Sequence, residues 1–218
     1  MQNDVAQSKH SPCVGVLALQ GGYDAHITHL DQLNISSRKL RFSEDFDGVD
    51  GLILPGGESS VMLKLIERNG LKPTLINAIN RGIPTLATCA GMILLAKTVY
   101  TNWSQTQTQD SLGILSVTVV RNGWGRQIES GLHTVKLDHV HTSCFLESTR
   151  GLNHSSCQMM FVRAPRLLAV DKEVSICGRV VSEPVWVQQN HVHALCGHPE
   201  LGDDPWVHRA VFKDLCPS

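Results

Sequence analysis

Several signals that would have named a function class are missing from this chain of 218 residues. Nineteen Lys and Arg stand against twenty Asp and Glu, for a formal net charge of -1. Such a balance supplies no broad field for nucleic acid or anionic lipid, and both are excluded as expected partners. No apolar run approaches bilayer-spanning length. Met1 to Pro12 is polar, has no apolar h-region and does not read as a secretion signal; residues 1–12 are expected to form a flexible tail. There are seven cysteines, an odd number, and no C-x-x-C pair, so neither a zinc knuckle nor a thioredoxin-like motif is signalled. These absences point to a reducing, cytoplasmic location in which most of the cysteines are small core residues.

What is present is an ordinary globular balance, with 42% hydrophobic and 18% charged residues and length for one sizeable core. Cys13 to Leu19 is a short apolar run ending at Gly21-Gly22, the pattern of a strand buried on both faces. Leu52 to Leu54 and Ile83 to Thr88 read the same way. Helical spacing follows each: Tyr23 to Leu33, Glu58 to Arg68 with Val61, Met62, Leu65 and Ile66, and Ala90 to Val99. Pro73 to Asn80 is a further helix. Alternating strands and helices predict a parallel sheet covered on both sides.

From Leu112 the texture changes to strand-like runs: 114–120, 133–137, 159–162, 174–176 and 185–187. One late helix is expected at Pro205 to Leu215. The expectation is an α/β fold of one domain, residues 13–216: a mixed sheet, parallel in its first half and extended by antiparallel strands. Thr101 to Ser111 and Ser148 to Ser156 read as loops.

Three segments carry chemistry. At Thr88-Cys89-Ala90-Gly91 a buried strand runs into a cysteine and a helix leaves it, the elbow arrangement that lifts a nucleophile clear of a sheet. The helix N-terminus beyond Cys89 favours a thiolate. At Gly197-His198-Pro199-Glu200, Pro199 pushes His198 into an extended conformation. Residues i and i+2 then face the same way, so Glu200 can orient His198 as a base. Pro55-Gly56-Gly57-Glu58 is a glycine turn between strand and helix, able to turn backbone N–H groups toward an oxyanion. The pairs His139/His141 and His191/His193 could each place two imidazoles on one strand face. Without an acidic or cysteine partner they read as exposed strand histidines, so no metal and no cofactor is expected.

In this order, Pro-Gly-Gly-Glu-Ser, Thr-Cys-Ala-Gly and His-Pro-Glu-Leu resemble the class I (triad) glutamine amidotransferases. Gly15 to Gly21, Arg121-Asn122-Gly123-Trp124-Gly125-Arg126-Gln127 and Phe161-Val162-Arg163-Ala164-Pro165 narrow the likeness to the glutaminase subunits of pyridoxal 5'-phosphate synthase. The resemblance spans about Val14 to His208. It implies a three-layer amidotransferase-like fold and hydrolysis of L-glutamine to L-glutamate and ammonia. It further implies that Cys89 is the nucleophile, His198 the proton carrier and Glu200 its holder. Gly57 and Ala90 would form the oxyanion hole, with Gln20 setting that loop. Gly56, Gly57, Glu58, Arg121, Val162 and Arg163 would hold glutamine, a role in which an arginine on the α-carboxylate suits bidentate pairing.

The partner implied is a separate synthase subunit that accepts the ammonia in a hetero-oligomer. Ala87 stands where the family usually has the first glycine of the elbow, and Trp124 replaces a more usual Phe near the substrate rim. The segment after Leu201 and the loop around Thr106 are unfamiliar. A glutaminase subunit of another amidotransferase, a related cysteine-elbow hydrolase and a non-catalytic partner subunit are the competing readings.

Overall fold

A computed structural model describes residues 11–124, 131–138 and 155–217. Its largest sheet has nine strands in the order β2-β1-β3-β4-β12-β11-β10-β7-β8. The first five, β2 (Ser36–Leu40), β1 (Cys13–Leu17), β3 (Gly51–Leu54), β4 (Thr85–Thr88) and β12 (Val192–Leu195), are mutually parallel. The antiparallel extension follows, through β11 (Glu183–Gln189), β10 (Ser175–Val180), β7 (Gly131–Leu137) and β8 (Ser156–Phe161). This is the mixed α/β architecture expected from the alternating first half of the chain.

The parallel strands are short and apolar because both faces are covered: β1, β3, β4 and β12 are almost wholly buried. Among the described residues the α-helices are α1 (Tyr23–Gln32), α2 (Ser59–Arg68), α3 (Lys72–Asn80), α4 (Ala90–Leu95) and α5 (Trp206–Val211). Glu58 caps α2 through a bond from Ser60 N to its side chain. Pro73 stands in the first turn of α3, where its missing N–H costs nothing.

The structure corrects the sequence reading at several points. The helix expected over Ala90 to Val99 ends at Leu95, and β5 (Ala96–Tyr100) follows at once. Together with β6 (Leu115–Val120) and β9 (Arg166–Val170), β5 forms a second, three-stranded sheet that was not foreseen. Strand β2 went unread because Ser36-Ser37-Arg38-Lys39 is polar. It lies at the sheet edge, where charged side chains are tolerated. Val61, placed on the apolar face of α2, is exposed, and Met62, Leu63 and Ile66 pack inward. His191 and His193 are not exposed strand histidines. His191 Nε2 lies 2.6 Å from Ile79 O, and the buried His193 ring accepts from Trp186 Nε1 at 3.3 Å. Burial pushes His193 down to about 3, so it is a neutral core side chain. His139, His141 and most of the 148–156 loop lie outside the described residues, as do residues 1–10 of the expected tail.

Candidate active site

Parallel strands end their backbones on the same edge, and here four such ends converge. In register, Leu54 of β3 pairs with Ala87 of β4, and Thr88 of β4 pairs with Leu195 of β12. One residue past β4 is Cys89, three past β12 is His198, and two past β3 is Gly56. Gln20 follows β1, the next strand out. This is the carboxyl edge at which open α/β sheets bind ligands.

Cys89 sits at φ 46°, ψ -102°, a left-handed conformation that a non-glycine residue adopts only when its surroundings impose it. The constraint is visible. Cys89 N donates to Leu195 O at 2.8 Å, and its own carbonyl accepts from Ile93 N at 3.2 Å in the first turn of α4. Gly91 is required there, since a Cβ would strike the carbonyl oxygen of Leu54. Ala87, the departure in the elbow, is fully buried in β4, where its methyl is accommodated.

His198 is held by its backbone: its N–H donates to Met160 O at 2.7 Å, tying it to β8. Its Nδ1 lies 2.7 Å from Glu200 Oε1, and the ring stands close enough to the Cys89 side chain for the two to couple electrostatically. The two residues meet, though not along an extended segment. Pro199–Leu201 is a 3₁₀ turn, and the turn brings Glu200 back under the ring. Burial pulls the imidazole toward its neutral form, but the bonds and charges of Cys89 and Glu200 outweigh it and push His198 up to about 10. Burial likewise works against ionised Glu200. The charge of His26 and the bonds from His198 and His26 nevertheless hold it well below the ordinary carboxylate range.

The glycine loop is packed against this pair. A Cβ on Gly56 would clash with His198 Cε1 and would lie 3.4 Å from Cys89 Cβ, so only glycine fits between loop and site. Gly56 O accepts from Gly22 N at 3.0 Å, and Gln20 Oε1 accepts from Glu58 N at 2.7 Å. The 20–22 segment thus braces the loop at two points.

Beside Cys89 opens a cavity of about 180 Å³ lined by Gly57, Glu58, Ser59, Ile93, Arg121, Asn122, Val162 and Arg163. It gathers most of the residues expected to hold glutamine; Asn122 and Arg163, at its rim, are both left-handed, with φ 50° and 47°. Arg121 is not poised as a free fork. Its Nη2 donates to Glu58 Oε1 and its Nη1 to Gln109 Oε1, each at 2.6 Å. Trp124, expected near the rim, is buried against Phe161, with the Arg166 guanidinium 4.9 Å over its ring. Arg126 and Gln127 lie outside the described residues.

Two features escaped sequence reasoning. Gln109, from the unfamiliar Gln/Thr-rich loop, reaches Arg121 and also accepts from Ser59 Oγ at 3.3 Å. Behind Glu200 lies a buried row of histidines. His26 Nε2 is 3.5 Å from Glu200 Oε1 and 3.2 Å from Thr88 Oγ1, and His26 Nδ1 is 2.8 Å from His208 Nε2. His208 Nδ1 is 3.2 Å from His29 Nδ1, whose Nε2 lies 2.9 Å from Gly202 O. His26 and His29, three apart, share a helix face with Leu30 and were readable only as part of a buried stripe. His208, 182 residues from His26, carried no signal at all.

Residues 16–216 match the SNO glutamine amidotransferase family. The chain is 38% identical over 200 residues to the pyridoxal 5'-phosphate synthase subunit PdxT of Thermotoga maritima, covering 92% of this chain and 97% of that one. It is also 38% identical over 212 residues to the protein of the same name from Cutibacterium acnes, covering 94% and 98%. Among solved structures, a glutamine amidotransferase superposes with a TM-score of 0.77 at 34% identity, covering 93% of this chain and 98% of the other. The PurLQS structure from Thermotoga maritima, at 16% identity and TM-score 0.69, shares the fold. With relatives this similar over nearly the whole chain, this protein belongs to the SNO glutamine amidotransferase family.

Proposed function

We propose that this chain is a glutaminase that hydrolyses L-glutamine to L-glutamate and ammonia and passes the ammonia to a pyridoxal 5'-phosphate synthase subunit. The observation that carries the reading is the Glu200–His198 hydrogen bond with His198 set against Cys89 at a left-handed elbow, beside a cavity of amino-acid size. The name shared by its relatives supplies the synthase.

In this reading the Cys89 sulfur attacks the side-chain carbonyl carbon of glutamine as a thiolate, with His198 as imidazolium beside it. The oxygen of the tetrahedral intermediate takes hydrogen bonds from the N–H groups of Gly57 and Ala90, the second at the start of α4. His198 gives its proton to the departing nitrogen, which leaves as ammonia. It then takes a proton from the water that cleaves the thioester; the sulfur leaves as thiolate, glutamate is released and the thiolate–imidazolium pair is restored. Glu200 keeps the imidazole oriented throughout and offsets its charge.

Glutamine enters with its α-carboxylate toward Arg121 and the 162–163 backbone, and Gln20 holds the 56–58 loop in place. For Arg121 to grip a carboxylate bidentately, its bonds to Glu58 and Gln109 rearrange or are shared. A separate ammonia acceptor fits the chemistry, because free ammonia is protonated and lost in water. A cytoplasmic setting accords with the six described cysteines, all free thiols. The residues 13–216 act as one catalytic domain in this proposal. Glutamate release from glutamine, with and without a stoichiometric synthase subunit, tests it; no release in either case overturns it.

A further inference from the structure

The buried histidine row behind Glu200 is directional. Gly202 O can only accept, so His29 carries its proton on Nε2 and, when neutral, accepts at Nδ1. His208 must then donate from Nδ1, which leaves its Nε2 as an acceptor. His208 is fully buried, and burial together with its histidine neighbours holds it well below the ordinary imidazole range, so it stays neutral. His26 therefore donates to it from Nδ1. One nitrogen in the row remains unassigned, His26 Nε2, and it faces Glu200 Oε1 at 3.5 Å and the Thr88 hydroxyl at 3.2 Å.

We infer that His26 is a positioning residue for Glu200, held by the His29–His208 relay so that its Nε2 proton shares the carboxylate with His198. The Thr88 hydroxyl, 3.2 Å away, can donate to a bare Nε2, but that lone pair would still face, and be repelled by, a buried carboxylate at 3.5 Å, one whose Oε2 has no hydrogen-bond partner among the described residues. A proton on Nε2 turns that repulsion into an ion pair. The relay cannot pass the proton on, because its far end is a carbonyl. The charge therefore stays beside Glu200.

The groups that face His26 are few: Glu200 from the 3₁₀ turn and, through it, His198; His208 from α5; His29 one turn along α1; and the neutral Thr88 from β4. From β2, Lys39 is engaged by Asp24 on the exposed side of α1. This inference rests on the triad of the proposed function and adds a fourth member to it. With His26 sharing Glu200, less of the carboxylate charge falls on His198, which makes its imidazolium a better acid toward the departing ammonia.

The test compares two variants in the full chain bound to its synthase. His26→Asn keeps a donor near the Nδ1 position and loses Nε2; His26→Gln offers an amide N–H near Nε2. In His26→Asn we expect kcat to fall on the order of tenfold with KM for glutamine little changed. The alkaline limb of the pH profile should move upward by roughly half a unit or more, because Glu200 then holds the His198 proton alone. His26→Gln should recover most of kcat. A folded His26→Asn with wild-type kcat and limb overturns the inference. Equal losses in both variants that follow a fall in Tm, with the limb unmoved, also overturn it, since packing alone gives that result. Alkylation of Cys89 by iodoacetamide across the same pH range reads the limb without turnover. It therefore still decides the role of His26 if the wild-type chain releases no glutamate, the result that overturns the proposed function instead.

Discussion

The Gly22 N–H donates to Gly56 O at 3.0 Å, and that bond decides which way the next N–H points. In a trans peptide the carbonyl and N–H lie on opposite sides, so pinning the Gly56 carbonyl toward Gly22 turns the Gly57 N–H away from it. One hydrogen bond of this kind contributes about 1 kcal/mol, while a lost oxyanion donor costs about 3 kcal/mol in the transition state. A modest push on the 20–22 segment can thus have a large catalytic effect.

The first expectation follows from that leverage. Glycine peptides rotate at low steric cost, so a synthase surface pressing on residues 20–22 would reset the loop. Steady-state glutamate release at saturating glutamine should rise roughly a hundredfold when a stoichiometric synthase subunit is added. An unchanged rate on a demonstrated complex would sink the gating idea and leave the triad standing.

Cys89→Ala should abolish glutamate release while leaving far-ultraviolet circular dichroism and synthase binding intact. Cys196→Ala is the control. That thiol is wholly buried against Met92 Sδ at 3.7 Å, and burial pushes it far above the ordinary thiol range, so its loss should cost stability rather than chemistry. Activity retained without Cys89, or lost without Cys196 in a folded protein, would place the nucleophile elsewhere.

Glu200→Gln should lower kcat strongly, yet less than His198→Asn, because an orienting group matters less than the base it orients. The double variant should be little worse than His198→Asn alone, as expected of residues acting as a unit. Multiplicative losses in the double variant would show that the two act independently.

The glycine at position 56 gives a steric test. Its Cβ in Gly56→Ala would meet the His198 ring, so the ring or the loop must shift. The variant should fold, because the clash lies at the sheet edge and not in the core, and should lose most of its kcat. Wild-type turnover in Gly56→Ala would show that the loop and His198 are not in the contact described.

Stability should also report on His198. Its folded-state value is raised from the ordinary 6.5 to about 10, so its contribution is present in full below 6.5 and is lost as pH rises through 10. Tm should therefore fall across that alkaline window in the wild type and fall less in Cys89→Ala, where one of the two partners that raise His198 is gone. Equal slopes in thermal melts would contradict the coupling of Cys89 to His198.

How much of this was legible beforehand depends on the range of the interaction. Gly91 in the elbow and the 55–57 turn act within a few residues of themselves, so the sequence alone determined the strand-to-helix turn at Cys89; it named His198 and Glu200 as partners, but a 3₁₀ turn rather than the expected extended segment joins them. Alternating buried strands and helices likewise determined β1, β3 and β4, the middle of the parallel half of the sheet, but not β2 or β12. What only the tertiary structure decided are contacts whose partners are far apart along the chain. Leu195 and Thr88 become neighbours because β12 inserts beside β4, and that register sets Cys89 against His198. Arg121 turns to Glu58 and Gln109, and His26 meets His208 across 182 residues. The end of α4 and the second sheet belong to the same class: Ala96 to Val99 suits a helix or a buried strand equally by local pattern. Pairing with β6 supplies the backbone partners that make it a strand.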